Sequence, residues 1–176
     1  MWRVCIAMLL ATVSLCAGAQ SPGVSEAALK STLFFKLPQF VYRPDEARDR
    51  PLSVCLLGNS EFQSAFEKLA QTPIDGRAVK FSKLAAVTDA SRCDFIFITQ
   101  SESAQLVALL RNLAGLPVVT VSEISGFAKA GGMVELALGG AGAPVSILIN
   151  RQAAQQKNIE FNAQLLRLAK VVEPGT

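Results

Sequence analysis

The chain has 176 residues, and because 51% of them are hydrophobic it holds enough apolar material for one domain with a core. Its 17 Lys and Arg residues against 14 Asp and Glu residues form no basic cluster, so the sequence indicates no nucleic-acid partner. The sequence has no histidine, which excludes His-based catalytic triads and most zinc sites.

The first residues have the pattern of a secretory signal peptide. Arg3 precedes an apolar run over residues 4–15, and a small-residue A-x-A motif follows the run. A membrane-spanning helix needs about 20 residues, and this run is shorter. We therefore expect residues 1–19 to be removed by cleavage between Ala19 and Gln20, which leaves an exported protein.

Two cysteines, Cys55 and Cys93, remain after this cleavage. In an oxidising compartment they form either a disulfide or two buried thiols. A bridge that closes a loop of about 38 residues would stabilise the fold by roughly 3 to 4 kcal/mol. Lipidation at Cys16 is an alternative to cleavage, but Leu15 stands where lipoprotein signals usually have a small residue.

The exported chain begins with a flexible lead over residues 20–27 and continues into an amphipathic helix. Ser25 is a candidate N-cap, and Pro38 should kink or end the helix. Aromatic residues at helical spacing are usually core, but Phe35 lies off the main stripe and is the best candidate for exposure. We expect Phe35 and Tyr42 to face a partner. The apolar stripe consists of Ala28, Leu29, Leu33, Phe34, Leu37 and Val41.

Strands and helices alternate from Leu52 onward. Residues 52–58 and 93–99 are continuous apolar runs of strand length, which is typical of buried parallel strands. Right-handed crossovers then give one α/β domain over residues 28–172, with a mostly parallel sheet in three layers and helices on both faces. Further strands are predicted at 78–84 and 116–123, and helices at 60–70, with Ser60 as its cap, and 101–115.

The C-terminal part departs from this alternation. Predicted strands at 132–138 and 144–150 flank a glycine-rich gap at 139–142, which indicates an antiparallel hairpin at one edge of the sheet. A long helix that covers the sheet is predicted over residues 151–172, followed by a tail over residues 173–176. Its apolar stripe is Phe161, Leu165, Leu168 and Val172.

Few residues offer catalytic chemistry, and we predict no catalytic residue, metal site or cofactor. Asp94, Glu123 and Glu135 are carboxylates on predicted strands, and a pair could act in acid/base chemistry only if the fold brought them together. Glu135 alternates outward and is a further candidate for facing a partner. Two loops follow strands where open sheets bind ligands, but strand-to-helix turns and loop polarity explain them as well. They are Gly58-Asn59-Ser60 and the SEIS stretch at 122–125.

Several stretches, in order, resemble the YfiR family of periplasmic regulators. They are ALKSTLFFKLPQFVYRP, LSVCLLGNSEF, CDFIFIT, LPVVTVSEISGFAKAGGMVEL and VSILINRQAAQQKNIEFNAQLLRLAKVV. The most specific parts are Gly126-Phe127 with Gly131-Gly132-Met133, and Ile149-Asn150 with Leu165-Leu166-Arg167-Leu168-Ala169.

The resemblance implies a non-enzymatic periplasmic protein that binds and represses an inner-membrane diguanylate cyclase. Repression lowers cyclic di-GMP and restrains biofilm formation, and an outer-membrane lipoprotein relieves it by sequestering the repressor. A periplasmic module that binds a small ligand at the carboxyl ends of the parallel strands is the alternative function. We also expect a homodimer through the edge hairpin or an apolar helix.

The chain departs from the family pattern at two places. It reads Lys36-Leu37-Pro38 and Tyr42-Arg43-Pro44 where members often carry Asn and Trp-Pro. It has Ala128 and Glu135 where some members carry a second cysteine pair, while Cys55 and Cys93 resemble the other pair. We expect Gly131-Gly132 to supply the positive-φ turn that starts the hairpin.

Overall fold

The computed structural model describes residues 25–43, 49–59, 61–139, 145–173 and 175. The predicted signal peptide, its cleavage site, the Ser60 cap and most of the glycine-rich gap therefore lie outside the described residues. The helices are α1 (Glu26–Lys36), α2 (Gln63–Leu69), α3 (Leu106–Leu113), α4 (Arg151–Gln155) and α5 (Ala163–Leu168). The strands are β1 (Val41–Tyr42), β2 (Leu52–Leu57), β3 (Val79–Leu84), β4 (Phe95–Ile98), β5 (Val119–Ser122), β6 (Val134–Leu138), β7 (Val145–Ile149), β8 (Glu160–Phe161) and β9 (Lys170–Val171).

A seven-stranded sheet in the order β3-β2-β4-β5-β6-β7-β9 forms the centre of the molecule. Neighbouring strands are parallel except for β6 and β7, which are antiparallel. Strand β2 lies between β3 and β4. The chain adds β3 on one side of β2 and then crosses back to add β4 on the other side. The predicted α/β architecture with a mostly parallel sheet is confirmed.

Each face of the sheet carries its own apolar cluster. Phe95 and Phe97 of β4 enter the cluster under α1, α2 and α5, whereas Ile96 and Ile98 enter the cluster under α3. Successive side chains of a strand point to opposite faces, so a continuous apolar run supplies both clusters at once. The three-layer arrangement therefore follows directly from the FIFI stretch.

Helix α1 begins and ends as its sequence predicts. The Ser25 hydroxyl accepts a hydrogen bond from the backbone N–H of Ala28 at 3.1 Å, which caps the first turn. The helix ends at Lys36, and a 3-10 turn over Leu37–Phe40 contains Pro38.

The long C-terminal helix predicted over residues 151–172 is wrong. The structure has α4, β8, α5 and β9 there, and β8 pairs with β1 in a separate two-stranded sheet. Asn158 ends the first segment with φ of +55°, and the Asn162 side chain caps α5 through the N–H of Leu165. Phe161 and Leu165 belong to the same cluster from two different elements, which produced the apparent helical stripe.

Three other boundaries differ from the predictions. Strands β6 and β7 form the predicted antiparallel hairpin, but β9 pairs outside β7, so the hairpin is not the edge of the sheet. Helix α3 begins only at Leu106, because residues Gln100–Gln105 form a 3-10 turn. Helix α2 begins at Gln63, and Phe62 at its N-cap provides no side-chain hydrogen bond.

A buried ion pair joins the segment after β1 to the amino end of the central strands. Asp94, whose side chain is 1% exposed, accepts hydrogen bonds from Arg43 at 2.8 Å and from Arg50 at 2.7 and 2.8 Å. The backbone N–H of Ser53 donates a further bond to it at 2.8 Å. Burial by itself would raise the pKa of Asp94, but the bonds from Arg50, Ser53 and Arg43 outweigh it and lower the pKa.

A disulfide joins Cys55 of β2 to Cys93, two residues before β4. Their Cα atoms are 5.9 Å apart, and both residues are buried in the cluster under α3. Of the two states that the sequence left open, the structure has the bridge.

Reduction of this disulfide should destabilise the protein. The bridge spans 38 residues, so its loss should lower the free energy of unfolding by about 3 to 4 kcal/mol. Urea unfolding with and without a dithiol reductant measures the difference. Two free thiols counted in the oxidised protein, unfolded without reductant, would contradict the bridge.

Replacing Asp94 with Asn should lower the free energy of unfolding at pH 7 by about 3 kcal/mol, because two guanidinium groups then face a neutral amide. The lowered folded-state pKa stabilises the protein above the unfolded pKa of about 4, and this contribution disappears as the pH falls through the folded-state pKa. The variant should therefore lose less stability than the wild type on acidification. Urea unfolding at a series of pH values tests both effects.

Asp89→Asn is the matched control, because its carboxylate forms an exposed pair with Arg92 at 3.8 Å. Its stability should stay within about 0.5 kcal/mol of the wild type. Equal losses in the two variants would show that the Asp94 network contributes nothing beyond a surface pair.

Candidate functional site

The block from Gly126 to Met133 is a tight turn that the side chain of Glu135 holds against β6. The two carboxylate oxygens of Glu135 accept hydrogen bonds from the backbone N–H groups of Gly126 and Ala128, each at 3.1 Å. Asn150 holds the same turn from the other direction, because its amide donates to the carbonyl of Ala128 at 2.8 Å. The fold thus ties residues 126–128 to two neighbouring strands of the sheet.

The glycines of this block shape the backbone. Gly126 and Gly131 have φ of +80° and +112°, values that residues with a side chain rarely adopt. Gly132 has no positive φ, but a Cβ there would lie 2.0 Å from Cε1 of the Phe127 ring. The expectation that Gly131-Gly132 supplies the positive-φ turn thus holds for Gly131, while Gly132 makes room for the buried Phe127.

Two of the three predicted partner-facing residues are buried, so those predictions are wrong. Glu135 is 4% exposed because it lies beneath the turn and accepts hydrogen bonds from two of its N–H groups. Phe35 is 7% exposed because its ring packs edge-to-face on Phe34 and Phe66, with centroids 5.7 and 5.1 Å apart. Tyr42 is 56% exposed at the end of β1, and its role in partner binding stays a prediction.

The protein's own polar groups bridge the crevice between β2 and β4, beside a cleft of about 510 Å³ that Gly58 and Asn59 help to line. The Ser101 hydroxyl accepts from the N–H of Asn59 at 3.0 Å, and the Thr99 hydroxyl donates to the Asn59 carbonyl at 3.2 Å. A Cβ on Gly58 would lie 2.2 Å from the Thr99 oxygen. Flavodoxin-like sheets bind ligands at this place. Here the loop after β2 closes on the loop after β4.

A buried lysine lies at the carboxyl end of β5. Lys30 of α1 pairs with Glu123 at 3.1 Å and with Glu26 one turn earlier in α1. Burial by itself would lower the pKa of Lys30, but hydrogen bonds and charge from Glu26 and Glu123 raise it. A cleft of about 400 Å³ opens beside this triad. The sequence pattern indicated Glu123 but not Lys30, because a lysine within an amphipathic helix is usually exposed to solvent.

The fold keeps the three candidate carboxylates apart. Asp94 lies at the amino end of the parallel strands, Glu123 lies at the carboxyl end, and Glu135 lies under the turn. Each carboxylate accepts hydrogen bonds from a different set of groups. Within the described residues there is no group of three acidic, Cys or His side chains that could hold a metal, and no helix long and apolar enough to cross a membrane.

Large apolar side chains are exposed at a few places in the described residues. Leu168 lies at the end of α5, Val171 lies in the outer strand β9, and Val107 lies on α3. Tyr42 and Leu138 complete this group.

Replacing Gly132 with Ala should lower the free energy of unfolding by about 1 to 3 kcal/mol, because the added methyl overlaps the Phe127 ring. Gly115→Ala is the control, since a Cβ there meets no atom within 4 Å. Chemical unfolding of both variants measures the difference. Equal midpoints for the two variants would show that the Phe127 ring moves aside without cost.

The fold is shared with solved structures of low sequence identity. The ABC domain from Streptococcus pneumonia, solved in complex with L-Trp, is 14% identical and has a TM-score of 0.58, over 84% of this chain and 60% of its own length. A conserved domain protein from Vibrio cholerae O1 biovar El Tor is 11% identical with a TM-score of 0.60, over 82% and 59%.

CD0873 from Clostridium difficile, a substrate-binding protein with adhesive properties in a ligand-free, open structure, is 9% identical with a TM-score of 0.53, over 80% and 58%. The chain thus spans somewhat less than two thirds of the length of each of these structures. At these identities the similarity concerns the fold alone.

No curated protein matches the chain. A family model described as YfiR/HmsC-like matches residues 27–170, which include the turn held by Glu135, the disulfide and the segments on both sides of the sheet. This match confirms the resemblance found in the sequence. The chain belongs to the YfiR/HmsC-like family, whose members are periplasmic regulators.

Proposed function

We propose that the protein represses an inner-membrane diguanylate cyclase by binding the part of the cyclase that faces the periplasm. The observation that carries this proposal is the family match over residues 27–170. Repression lowers cyclic di-GMP and restrains biofilm formation. An outer-membrane lipoprotein that sequesters the repressor relieves it.

The arrangement of polar groups supports a role that depends on contact between proteins. Asp94, Glu135 and Lys30 are buried, and their partners are groups of the protein itself. Thr99 and Ser101 form hydrogen bonds with Asn59 across the crevice between β2 and β4. Tyr42, in contrast, is exposed, and aromatic side chains of this kind are enriched at protein interfaces.

Repression by binding requires a difference in affinity. The repressor must bind the inactive state of the cyclase more tightly than the active state, because equal affinity for both states would shift nothing. Changing the ratio of the two states from 1:99 to 99:1 takes a preference of about 10⁴-fold. The lipoprotein needs only to bind the free repressor tightly enough to compete.

Deletion of the gene should raise cellular cyclic di-GMP, and restoring the gene should lower it again. The reason is that the cyclase returns to its active state when the repressor is absent. Quantification of cyclic di-GMP in the deletion strain and in the restored strain measures this. Unchanged cyclic di-GMP in both strains would overturn the proposed function.

Tyr42→Ala should weaken the repression, since truncating a tyrosine at the centre of an interface commonly costs about 2 kcal/mol, or about 30-fold in affinity. Val107→Ala is the control, because Val107 is similarly exposed at 62% but lies on α3. Affinity for the purified periplasmic part of the cyclase and cyclic di-GMP in the restored strains are the two readouts. Equal repression by both variants would place the contact away from Tyr42.

A further inference from the structure

Lys157 lies just after α4, and its amine contacts the C-terminal end of α3. The Nζ atom donates a hydrogen bond to the carbonyl oxygen of Leu113, the last residue of α3, at 2.6 Å. The C-terminal end of a helix carries partial negative charge and favours a cation. The lysine therefore ties the turn after α4 to α3 on the other face of the sheet.

Lys157 is half-buried and differs from Lys30 and Arg43 because no carboxylate accompanies it. Lys30 has Glu26 and Glu123, and Arg43 has Asp94. Within the described residues, Lys157 has only the Leu113 carbonyl as a partner. An ammonium group has three N–H donors, so two of them remain available. Burial accordingly lowers the pKa of Lys157 to about 8.

A cavity of about 80 Å³ opens beside this amine, and Lys157 is the only ionisable residue among the described residues of its wall. The other polar residues of the wall are Thr120 of β5, which is buried, and Gln156, which is exposed. The Thr120 hydroxyl accepts from the N–H of Met133 at 3.1 Å, which leaves its own hydrogen to donate. The apolar part of the wall comes from Leu110, Leu113, Ala114, Met133 and Ala153.

The cavity therefore offers hydrogen-bond donors and apolar surface. Its described wall residues include no carboxylate that would balance the charge of the Lys157 ammonium group. We propose that it binds a small monocarboxylate anion, whose oxygens accept hydrogen bonds from Lys157 and Thr120. A volume of about 80 Å³ has room for an anion of the size of formate or acetate. A methyl group of the anion would contact the apolar wall.

The bound anion would touch elements from both faces of the sheet. Thr120 belongs to β5, Leu110 to α3, Ala153 to α4, and Gly131 to the turn held by Glu135. Binding would thus strengthen the connection of these elements. The proposal does not depend on the cyclase, because it concerns a different partner and a different part of the molecule.

Nuclear magnetic resonance of the Lys157 side chain, with sodium acetate as the probe and sodium chloride at equal ionic strength as the reference, tests the proposal. Acetate should shift the Lys157 signals in a saturable way and raise the pKa of the amine. The anion binds the ammonium form, so with a pKa of about 8 its affinity should fall about tenfold between about pH 7 and about pH 9. Shifts equal to those in chloride, or an affinity independent of pH, would overturn it.

Variants of the exported protein give a second test by acetate-dependent thermal stabilisation. Lys157→Met should abolish the stabilisation, Thr120→Val should reduce it, and Lys68→Met, at an exposed lysine of α2, should retain it. Stabilisation retained in Lys157→Met would overturn the proposal. If that variant does not fold, the titration of the wild-type Lys157 signals decides.

Discussion

The four side chains of β4 are buried on both faces of the sheet, and the rest of the architecture follows from covering them. Phe97 contacts Phe34, Phe62 and Phe66 at centroid distances between 4.9 and 5.5 Å. Ile96 and Ile98 need a second layer, which α3 and the turn around Phe127 supply. Because a parallel sheet must be covered on both sides, the helices cannot all lie on one face.

The parts of the fold that could be predicted are those with a local signal. Continuous apolar runs identified β2 and β4, and a serine followed by an apolar stripe identified the start of α1. The region after Asn150 could not be predicted in this way, because residues from α4, β8 and α5 face one cluster and imitate the spacing of a single helix. Only Asn158, with its positive φ, and the capping residue Asn162 indicated the interruptions.

The candidate site was harder to predict than the fold because burial depends on distant contacts. The sequence favoured an outward Glu135 from strand alternation, but a turn nine residues earlier folds over it and provides two N–H donors. Phe35 looked exposed from its place on the helix, yet α2 covers that side through Phe66. Lys157 gave no signal at all, since its partner is the carbonyl of a residue 44 positions away.

Glu135 and Ala128 occupy the two positions at which the sequence resemblance implies a second cysteine pair in some family members. Here the Glu135 carboxylate reaches the N–H of Ala128, so a hydrogen bond connects the same two positions without a covalent bond. A reductant that breaks Cys55–Cys93 would leave this connection in place. The hydrogen bond from Ala128 to Glu135 therefore does not depend on a thiol, and within the described residues the thiol–disulfide chemistry of this protein is confined to Cys55 and Cys93.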